Sequence, residues 1–187
     1  MITLKEVKTF KQSDLVLNVS NVYDTSKLNI NEWEPYINRL CGNRTSQKEA
    51  IVNAIIYLAS GKYKSLYQLA EENYNSNIHL KEKYSSFDEF SKNLQIKDKL
   101  YATIDLATGT GKSYVIYGIA QIALGIGLVD RVLVLCPSLT IESGLLEKFT
   151  SLSSDENLKK LIPESAIIKN PSVVSADKTI NKGDLCV

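Results

Sequence analysis

The stretch from Ala107 to Ser113, Ala-Thr-Gly-Thr-Gly-Lys-Ser, has the residue types that bind a polyphosphate. Glycines allow backbone N–H groups to turn toward one point with no side chains in the way. Lys112 supplies a positive charge for the terminal phosphates, and the hydroxyl of Ser113 can ligate the magnesium ion that accompanies them. A helix that begins here adds the positive end of its dipole. The stretch therefore predicts a phosphate-binding loop (P-loop) made by Thr108, Gly109, Thr110, Gly111, Lys112 and Ser113.

Leu106 departs from the general P-loop pattern, which has a glycine five residues before Gly111. The stretch nevertheless lies after a predicted strand and before a predicted helix, where the phosphate-binding mechanism requires it. The alternative interpretation is a glycine-rich turn in which Lys112 is merely solvated. Phosphoryl transfer draws most of its rate from placed charges, so the P-loop interpretation makes Lys112 the candidate catalytic residue.

The elements that flank the loop predict an α/β fold with a parallel sheet. Residues 100–106 form a predicted strand, residues 112–124 a helix and residues 131–136 an almost unbroken apolar strand. Strand, helix and strand in direct succession make a βαβ unit, whose crossover is right-handed in nearly all known proteins. We therefore expect the second half of the chain to be built on parallel strands.

Three further elements are predicted after the βαβ unit. Residues 140–152 read as a helix, and residues 164–170 and 183–187 as two strands. The last strand is followed by no turn, cap or polar tail. We therefore expect the chain to be truncated within a domain at residue 187.

Residues 1–43 are predicted to be a mixed N-terminal segment. They contain a possible strand at residues 15–19 and a short helix at residues 34–41. The next helix has apolar residues at helical spacing, and Ser46 and Glu49 at its start are spaced as a capping box.

Residues 62–99 are polar and rich in tyrosine, and they read as an insertion of two small helices, at residues 64–73 and 86–94. Their tyrosines have two interpretations. Aromatic rings can stack the bases of a single strand, but tyrosines among short helices more often form a small core. The residues concerned are Tyr63, Tyr67, Tyr74 and Tyr84.

Three stretches together resemble the superfamily-two helicase-like motor ATPases. The P-loop after an acidic strand is similar to the first motif of these motors. Upstream, Arg44 and Gln47 resemble the Arg-x-x-Gln element that precedes the P-loop in the family. Downstream, the strand that ends in Cys-Pro-Ser before a helix resembles the next family motif. The resemblance is closest to the motor subunit (Res) of type III restriction enzymes, from about Cys41 to Val187 without the insertion.

The resemblance implies a partial RecA-like three-layer ATPase lobe with ATP and Mg²⁺ as cofactors. In the family the glutamine amide, here Gln47 with Arg44 beside it, reads the adenine edge, since an amide offers a donor and an acceptor side by side. The junction of strand and helix, here Ser138 and Thr140, touches the nucleic-acid backbone. From the residues alone, Gln47 reads more readily as an early helix residue in the capping box. Ser138 reads as well as a helix cap as it does as a contact to nucleic acid.

The resemblance also implies an organisation and a set of partners. Residues 44–187 would be the first part of the ATPase lobe, interrupted by the insertion at residues 62–99. The parent protein would be an ATP-dependent hydrolase that moves along or opens duplex DNA. In the family a companion methyltransferase subunit recognises the DNA site.

Parts of the catalytic machinery of the family have no counterpart in the sequence. No apolar strand after Cys136 ends in two adjacent acidic residues, and the arginine of the second lobe is missing. We therefore expect little or no hydrolysis from this chain alone. Two alternatives remain: a P-loop kinase or GTPase, although no Asn-Lys-x-Asp guanine reader is present, and a non-catalytic nucleotide-sensing scaffold with the insertion as its partner surface.

Composition and charge bear on the partners, the cysteine chemistry and the location of the protein. Lysine and arginine (22) nearly balance aspartate and glutamate (21), so no overall positive charge draws the protein to nucleic acid. Three scattered cysteines form no Cys-x-x-Cys pair, and we expect reduced core thiols. The N-terminus lacks a signal-peptide pattern, and the longest uncharged run, at residues 114–129, is shorter than the roughly 20 residues of a membrane span. These features predict a cytoplasmic protein without a membrane partner.

Overall fold

The computed structural model describes residues 11–187, which form two compact units. The first unit contains residues 11–23 and 61–103, and the second contains residues 24–60 and 104–187. Residues 11–43 are divided between the two units. The first ten residues, where the sequence predicts no secretion signal, lie outside the described residues. The predicted domain assignment stays a prediction.

Helices make up most of the regular structure. Short 3-10 helices occur at Gln12–Leu15 and Ile30–Trp33. The α-helices of the described residues are α1 (Glu34–Cys41), α2 (Thr45–Ala59), α3 (Leu66–Ser76), α4 (Ile78–Lys83), α5 (Phe87–Ser91), α6 (Lys112–Gly125), α7 (Leu139–Ser153) and α8 (Glu156–Lys159). The strands are β1 (Val132–Leu133), β2 (Ser172–Val174) and β3 (Asp184–Cys186).

The second unit contains a small parallel sheet in the order β1-β3-β2. Leu185 of β3 is paired with Val132 of β1 on one side and with Val173 of β2 on the other. The central strand β3 is completely buried, as an apolar strand between two parallel neighbours should be. The parallel sheet and its helices are consistent with a partial RecA-like α/β domain, as predicted.

Three predicted strands are wrong. Leu15 ends a 3-10 helix, and residues 16–19 and 164–170 form turns or irregular structure. The second edge strand of the sheet instead lies at Ser172–Val174. Residues 100–106 contain no strand, and most of them are exposed. A strand is defined by the ladder that it makes with a neighbour, and this segment joins neither edge of the sheet. The βαβ unit predicted around α6 is therefore absent from the described residues.

The core of the second unit is formed by α1, α2 and α6. The helix α6 is apolar on nearly all sides and is correspondingly buried, with Ile122 and Leu124 inaccessible to solvent. On α2, Ile51 and Ile55 are equally inaccessible. A methyl group at Gly118 would lie 2.7 Å from Ile51 Cδ1, so this glycine permits the close approach of α2 and α6. This packing fixes the start of α6, where the predicted P-loop lies.

The first unit has its own aromatic core. Tyr63, Tyr74 and Tyr84 are each at least 92 % buried, and the hydroxyl of Tyr74 donates to the Tyr84 carbonyl at 2.9 Å. Phe90 has no exposed surface and packs against Tyr74, with ring centroids 6.1 Å apart. Base stacking is therefore wrong as an interpretation of these three tyrosines. Of the four tyrosines considered for stacking, Tyr67 alone is half-buried rather than buried.

Two of the three cysteines are buried free thiols, as the prediction of reduced core cysteines requires. Cys41 and Cys186 are buried, Cys136 is half-buried, and all three are free. Burial raises the pKa of the Cys41 and Cys186 thiols, which keeps them protonated and unreactive near neutral pH. None of the helices formed by residues 11–187 is long and apolar enough to cross a membrane.

Asp14 ties the 3-10 helix Gln12–Leu15 to the end of α4. Its carboxylate accepts hydrogen bonds from Lys83 Nζ and, at 2.8 Å, from the Tyr84 hydroxyl, and its side chain is 12 % exposed. Burial raises the pKa of Asp14, but the hydrogen bonds from Lys83, the Lys11 backbone and Tyr84 outweigh it and leave the pKa below 3.8. Stability from such a carboxylate is complete above the pKa of the unfolded chain and is lost as the pH falls through the folded pKa.

Replacing Asp14 with asparagine is expected to lower the free energy of unfolding at pH 7 by about 1–3 kcal/mol, because the half-buried Lys83 ammonium and the buried Tyr84 hydroxyl lose a charged acceptor. Urea titrations at pH 7 and at about pH 3 should show that this difference shrinks at the lower pH. The control is Asp98→Asn, an exposed carboxylate of the same unit. An equal loss of stability at both pH values would contradict the assignment.

Candidate nucleotide site

The loop between Ala107 and Lys112 has the backbone conformation that the sequence predicts. Gly109 and Gly111 have φ values of +80° and +77°, in the left-handed region that glycine adopts without strain. The hydroxyl of Thr110 donates to the carbonyl of Ala107 at 2.7 Å and closes the turn. Gly111 is the N-cap of α6 and provides no side-chain cap, so the first N–H groups of this helix keep their capacity for an anion.

The two glycines of the loop differ in their surroundings. A Cβ atom at Gly109 would meet no atom within 4 Å, so this side of the loop is open. A Cβ atom at Gly111 would lie 2.6 Å from Gln47 Nε2 and 3.2 Å from the Tyr114 ring. Glycine is therefore required at position 111 for two reasons: its positive φ, and the close approach of the Gln47 side chain. The open side at Gly109 leaves room for a ligand.

Lys112 and Ser113 begin α6 and lie beside the open loop. Lys112 is exposed, and its side chain forms no hydrogen bond or ion pair with any residue in the range 11–187. Ser113 is half-buried in the first turn. An uncommitted cation at a helix start, next to backbone N–H groups, can neutralise a terminal phosphate.

Gln47 contacts the P-loop itself. Its side chain is completely buried, and its amide nitrogen donates to the Thr110 carbonyl and, at 3.4 Å, to the Gly111 carbonyl. Its carbonyl oxygen is buried and accepts no hydrogen bond from the described residues. Both carbonyl contacts require the nitrogen on the loop side, which fixes the orientation of the amide. Here Gln47 supports the loop, and its predicted contact with adenine stays a prediction.

Arg44 is exposed and is the N-cap of α2, without a side-chain cap. The capping box predicted from Ser46 and Glu49 is therefore wrong, because α2 begins at Thr45, two residues before the start that Ser46 would cap. The Arg44 guanidinium instead lies 5.9 Å from the centre of the Tyr114 ring.

A pocket of about 660 Å³ opens beside the start of α6. Lys148 Nζ lies 4.4 Å from the Tyr114 ring centroid and donates to the Tyr114 hydroxyl at 2.7 Å. Sequence reasoning missed both residues. The position of Tyr114 directly after Ser113 was a usable signal, whereas Lys148 had none because only folding brings α7 to this place. The lining residues are Arg39, Leu40, Cys41, Gly42, Asn43, Arg44, Tyr114, Lys148, Ser151, Leu152, Asp155 and Leu158.

Ser138 and Thr140 lie where β1 leads into α7. Ser138 is the N-cap of α7, and its hydroxyl accepts from the Ile141 N–H at 3.4 Å. Both side chains are exposed. Capping and contact with a phosphate are compatible, since a hydroxyl that accepts from one partner can still donate to another.

The fold and this site define a partial RecA-like α/β protein with a glycine-rich loop at the start of a buried helix. The family model of the type III restriction enzyme, res subunit, matches residues 40–184. The chain therefore belongs to this family of helicase superfamily-two-like proteins, and the predicted resemblance is confirmed. The family implies a helicase-like, ATP-dependent parent. No curated protein and no solved structure matches the chain.

Proposed function

We propose that this chain binds magnesium ATP at its P-loop and forms the nucleotide-binding part of a DNA-translocating motor of the type III restriction kind. The observation that carries the proposal is the uncommitted Lys112 at the N-terminus of α6, directly after two glycines with positive φ. In this role Thr108, Thr110 and the loop backbone surround the phosphates, and Lys112 neutralises their charge.

The residues at the start of α6 fit a magnesium ion that arrives with the nucleotide. Ser113 lies in the first turn of the helix, two residues after Gly111 of the loop. When bound, magnesium neutralises phosphate charge and orients the phosphate oxygens. Ser113 would hold the ion through one oxygen ligand, and Lys112 would act on the phosphate oxygens. Nucleotide and water would supply the remaining ligands.

We expect this chain to hydrolyse ATP slowly by itself. The acidic pair of the family follows a strand, whereas the adjacent acidic residues here lie in helices or at a helix start. They are Glu71 and Glu72, Asp88 and Glu89, and Asp155 and Glu156. Without an activating carboxylate or an arginine finger, whose contribution is about a thousandfold or more, the phosphoryl group lacks most of its stabilising charges.

Titration calorimetry with magnesium ATP, combined with a phosphate-release assay on the same preparation, tests the proposal. We expect saturable binding of ATP and a release rate close to that of ATP in buffer. Absence of binding would contradict the proposal. A robust magnesium-dependent rate that disappears in Lys112→Ala would contradict the expected lack of hydrolysis.

Ser138 and Thr140 are the proposed contacts to the backbone of duplex DNA. Both are exposed at the start of α7, where hydroxyls and N–H groups suit phosphate oxygens. The double variant Ser138→Ala and Thr140→Val should weaken binding of duplexes of unrelated sequence to a similar extent, about tenfold. Fluorescence anisotropy at fixed salt measures this, with the exposed Ser154→Ala as the control. Unchanged binding would remove this junction from the interface.

The remaining assignments follow from the family. A methyltransferase subunit as partner and a cytoplasmic location are part of the proposed function, since the type III restriction family acts on DNA with such a subunit. The burial of Tyr63, Tyr74 and Tyr84 disfavours the alternative in which the insertion is an aromatic partner surface. Selective binding of GTP over ATP would favour the other alternative, a P-loop kinase or GTPase.

A further inference from the structure

Three carbonyl groups of the predicted P-loop accept hydrogen bonds from donors of the protein itself. The Ala107 carbonyl accepts from the hydroxyl and, at 3.4 Å, from the N–H group of Thr110. The Thr110 carbonyl accepts from the amide nitrogen of Gln47. The Gly111 carbonyl accepts from the Tyr114 N–H group at 3.0 Å and from the Gln47 amide nitrogen at 3.4 Å. The carbonyl oxygens, which would repel the oxygens of a phosphate, are therefore directed at donors of the protein.

A carbonyl held in this way fixes the direction of the N–H group that follows it. In a planar trans peptide bond, the C=O of one residue and the N–H of the next point in opposite directions. Because Gln47 binds the carbonyls of Thr110 and Gly111, the N–H groups of Gly111 and Lys112 point away from the Gln47 amide. Neither N–H group donates to a backbone carbonyl of residues 11–187. Both are thus available to an anion at the start of α6.

We infer that Gln47 is a positioning residue for the phosphates: its amide holds the loop so that the N–H groups of Gly111 and Lys112 face the anion, whatever base the ligand carries. The inference rests on the proposed function and names the side chain that orients the backbone donors. Gln47 is completely buried, so its amide is confined to one place. A Cβ atom at Gly111 would lie 2.6 Å from Gln47 Nε2, so this glycine allows the amide to reach both carbonyls.

The amide oxygen of Gln47 argues against a purely structural role for this side chain. It is buried and accepts no hydrogen bond from the described residues, and a buried acceptor without a partner destabilises a fold. In Gln47→Met this penalty disappears, while the Thr110 carbonyl loses its donor. The two effects oppose each other, so the midpoint of urea unfolding should stay within about 0.5 M of that of the parent. Orientation of the loop therefore explains the amide better than stability does.

The test compares magnesium ATP with magnesium tripolyphosphate, which has the phosphates but no base, by titration calorimetry on the parent chain and on Gln47→Met. We expect Gln47→Met to bind both ligands more weakly to the same extent, about tenfold. The matched control is Gln121→Met. Gln121 is also a buried glutamine of this unit, near the end of α6, and its amide donates to the Ile168 carbonyl at 3.2 Å. This control should bind tripolyphosphate within about twofold of the parent.

A second variant, Gln47→Glu, tests whether hydrogen-bond donation is the cause. A protonated carboxyl can donate to the Thr110 carbonyl, whereas an ionised one has only acceptors and repels both loop carbonyls. Burial against these oxygens should raise the pKa of the introduced carboxyl, which is protonated at about pH 5.5 and ionised at about pH 9. Relative to the parent at the same pH, tripolyphosphate should bind Gln47→Glu at most about threefold more weakly at the lower pH and at least about thirtyfold more weakly at the higher.

Weaker binding of ATP alone by Gln47→Met, with tripolyphosphate unaffected, would overturn the inference, because the amide would then act on the base. A parent chain that binds ATP but not tripolyphosphate would overturn it as well. So would an equal loss of affinity in Gln121→Met, or a deficit of Gln47→Glu that does not depend on pH. If the parent and Gln47→Met bind both ligands equally well, the inference fails and the proposed function stands. If the parent binds neither ligand, both fail.

Discussion

Magnesium ATP should bind at least about a hundredfold more weakly to Lys112→Ala than to the parent chain. Lys112 is an uncommitted cation at the start of α6, and its proposed partners are the terminal phosphates. Hydrogen bonds to charged groups contribute about 1.5–3 kcal/mol each, and a hundredfold change corresponds to about 2.7 kcal/mol. If the Lys112 ammonium makes one or two hydrogen bonds to the phosphates, its removal therefore accounts for a hundredfold loss of affinity. Titration calorimetry of both chains measures the ratio.

The same variant should fold normally, because the Lys112 side chain makes no ion pair or hydrogen bond within residues 11–187. Its free energy of unfolding should stay within about 0.5 kcal/mol of the parent, as for most exposed positions. Lys178→Ala serves as the matched control, since it removes an exposed lysine outside the loop. Equal affinities of the parent and Lys112→Ala would show that the nucleotide is held elsewhere.

The conformation of the loop between Ala107 and Lys112 could be predicted because its signals are local. Positive φ at Gly109 and Gly111 and a helix that begins at Lys112 follow from residue types within a few positions. The environment of Gln47 could not be predicted in this way. Its burial against the Thr110 carbonyl depends on how α2 packs on α6, which joins residues 63 positions apart. The same holds for Lys148 beside Tyr114, which are 34 positions apart.

Whether a predicted strand forms also depends on residues that are distant in the sequence. Residues 183–187 were expected to be a strand, and β3 is the buried centre of the sheet, where an apolar run has neighbours on both sides. Residues 100–106 have a comparable apolar pattern but gain no neighbour in the described structure. Propensity alone does not form a strand, because the backbone groups must also find a ladder. Pairing depends on residues far away in the sequence, so a single segment could not reveal it.

Replacing Gly125 with alanine is expected to lower the free energy of unfolding of the second unit by about 1–3 kcal/mol. The new Cβ atom would lie 2.4 Å and 2.6 Å from two ring carbons of Trp33, which is 2 % exposed. A buried indole cannot move aside as a flexible chain end does, so the clash must shift α6 or the ring, as in other overpacked cores. The gain in helix propensity of up to about 1 kcal/mol offsets only part of this cost.

The matched control for Gly125→Ala is Gly144→Ala, the same substitution inside α7. A Cβ atom there would meet nothing within 4 Å, so only the propensity gain remains and the variant should be more stable by about 0.5–1 kcal/mol. Urea unfolding curves of both variants would therefore move in opposite directions. If both moved toward higher stability, close packing of Trp33 on Gly125 would be contradicted.

A double-mutant cycle with Trp33→Leu separates the clash from other effects of the substitution at Gly125. Leucine in place of Trp33 costs stability by itself, because it leaves space where a buried indole packed. That space can accept the methyl group that Gly125→Ala introduces, so this substitution should cost clearly less in the Trp33→Leu background than in the parent. An interaction energy of about 1 kcal/mol or more, of the sign that favours the double variant, is expected for two residues in contact. Simple additivity would mean that the loss at Gly125 arises from the backbone of α6 and not from the indole.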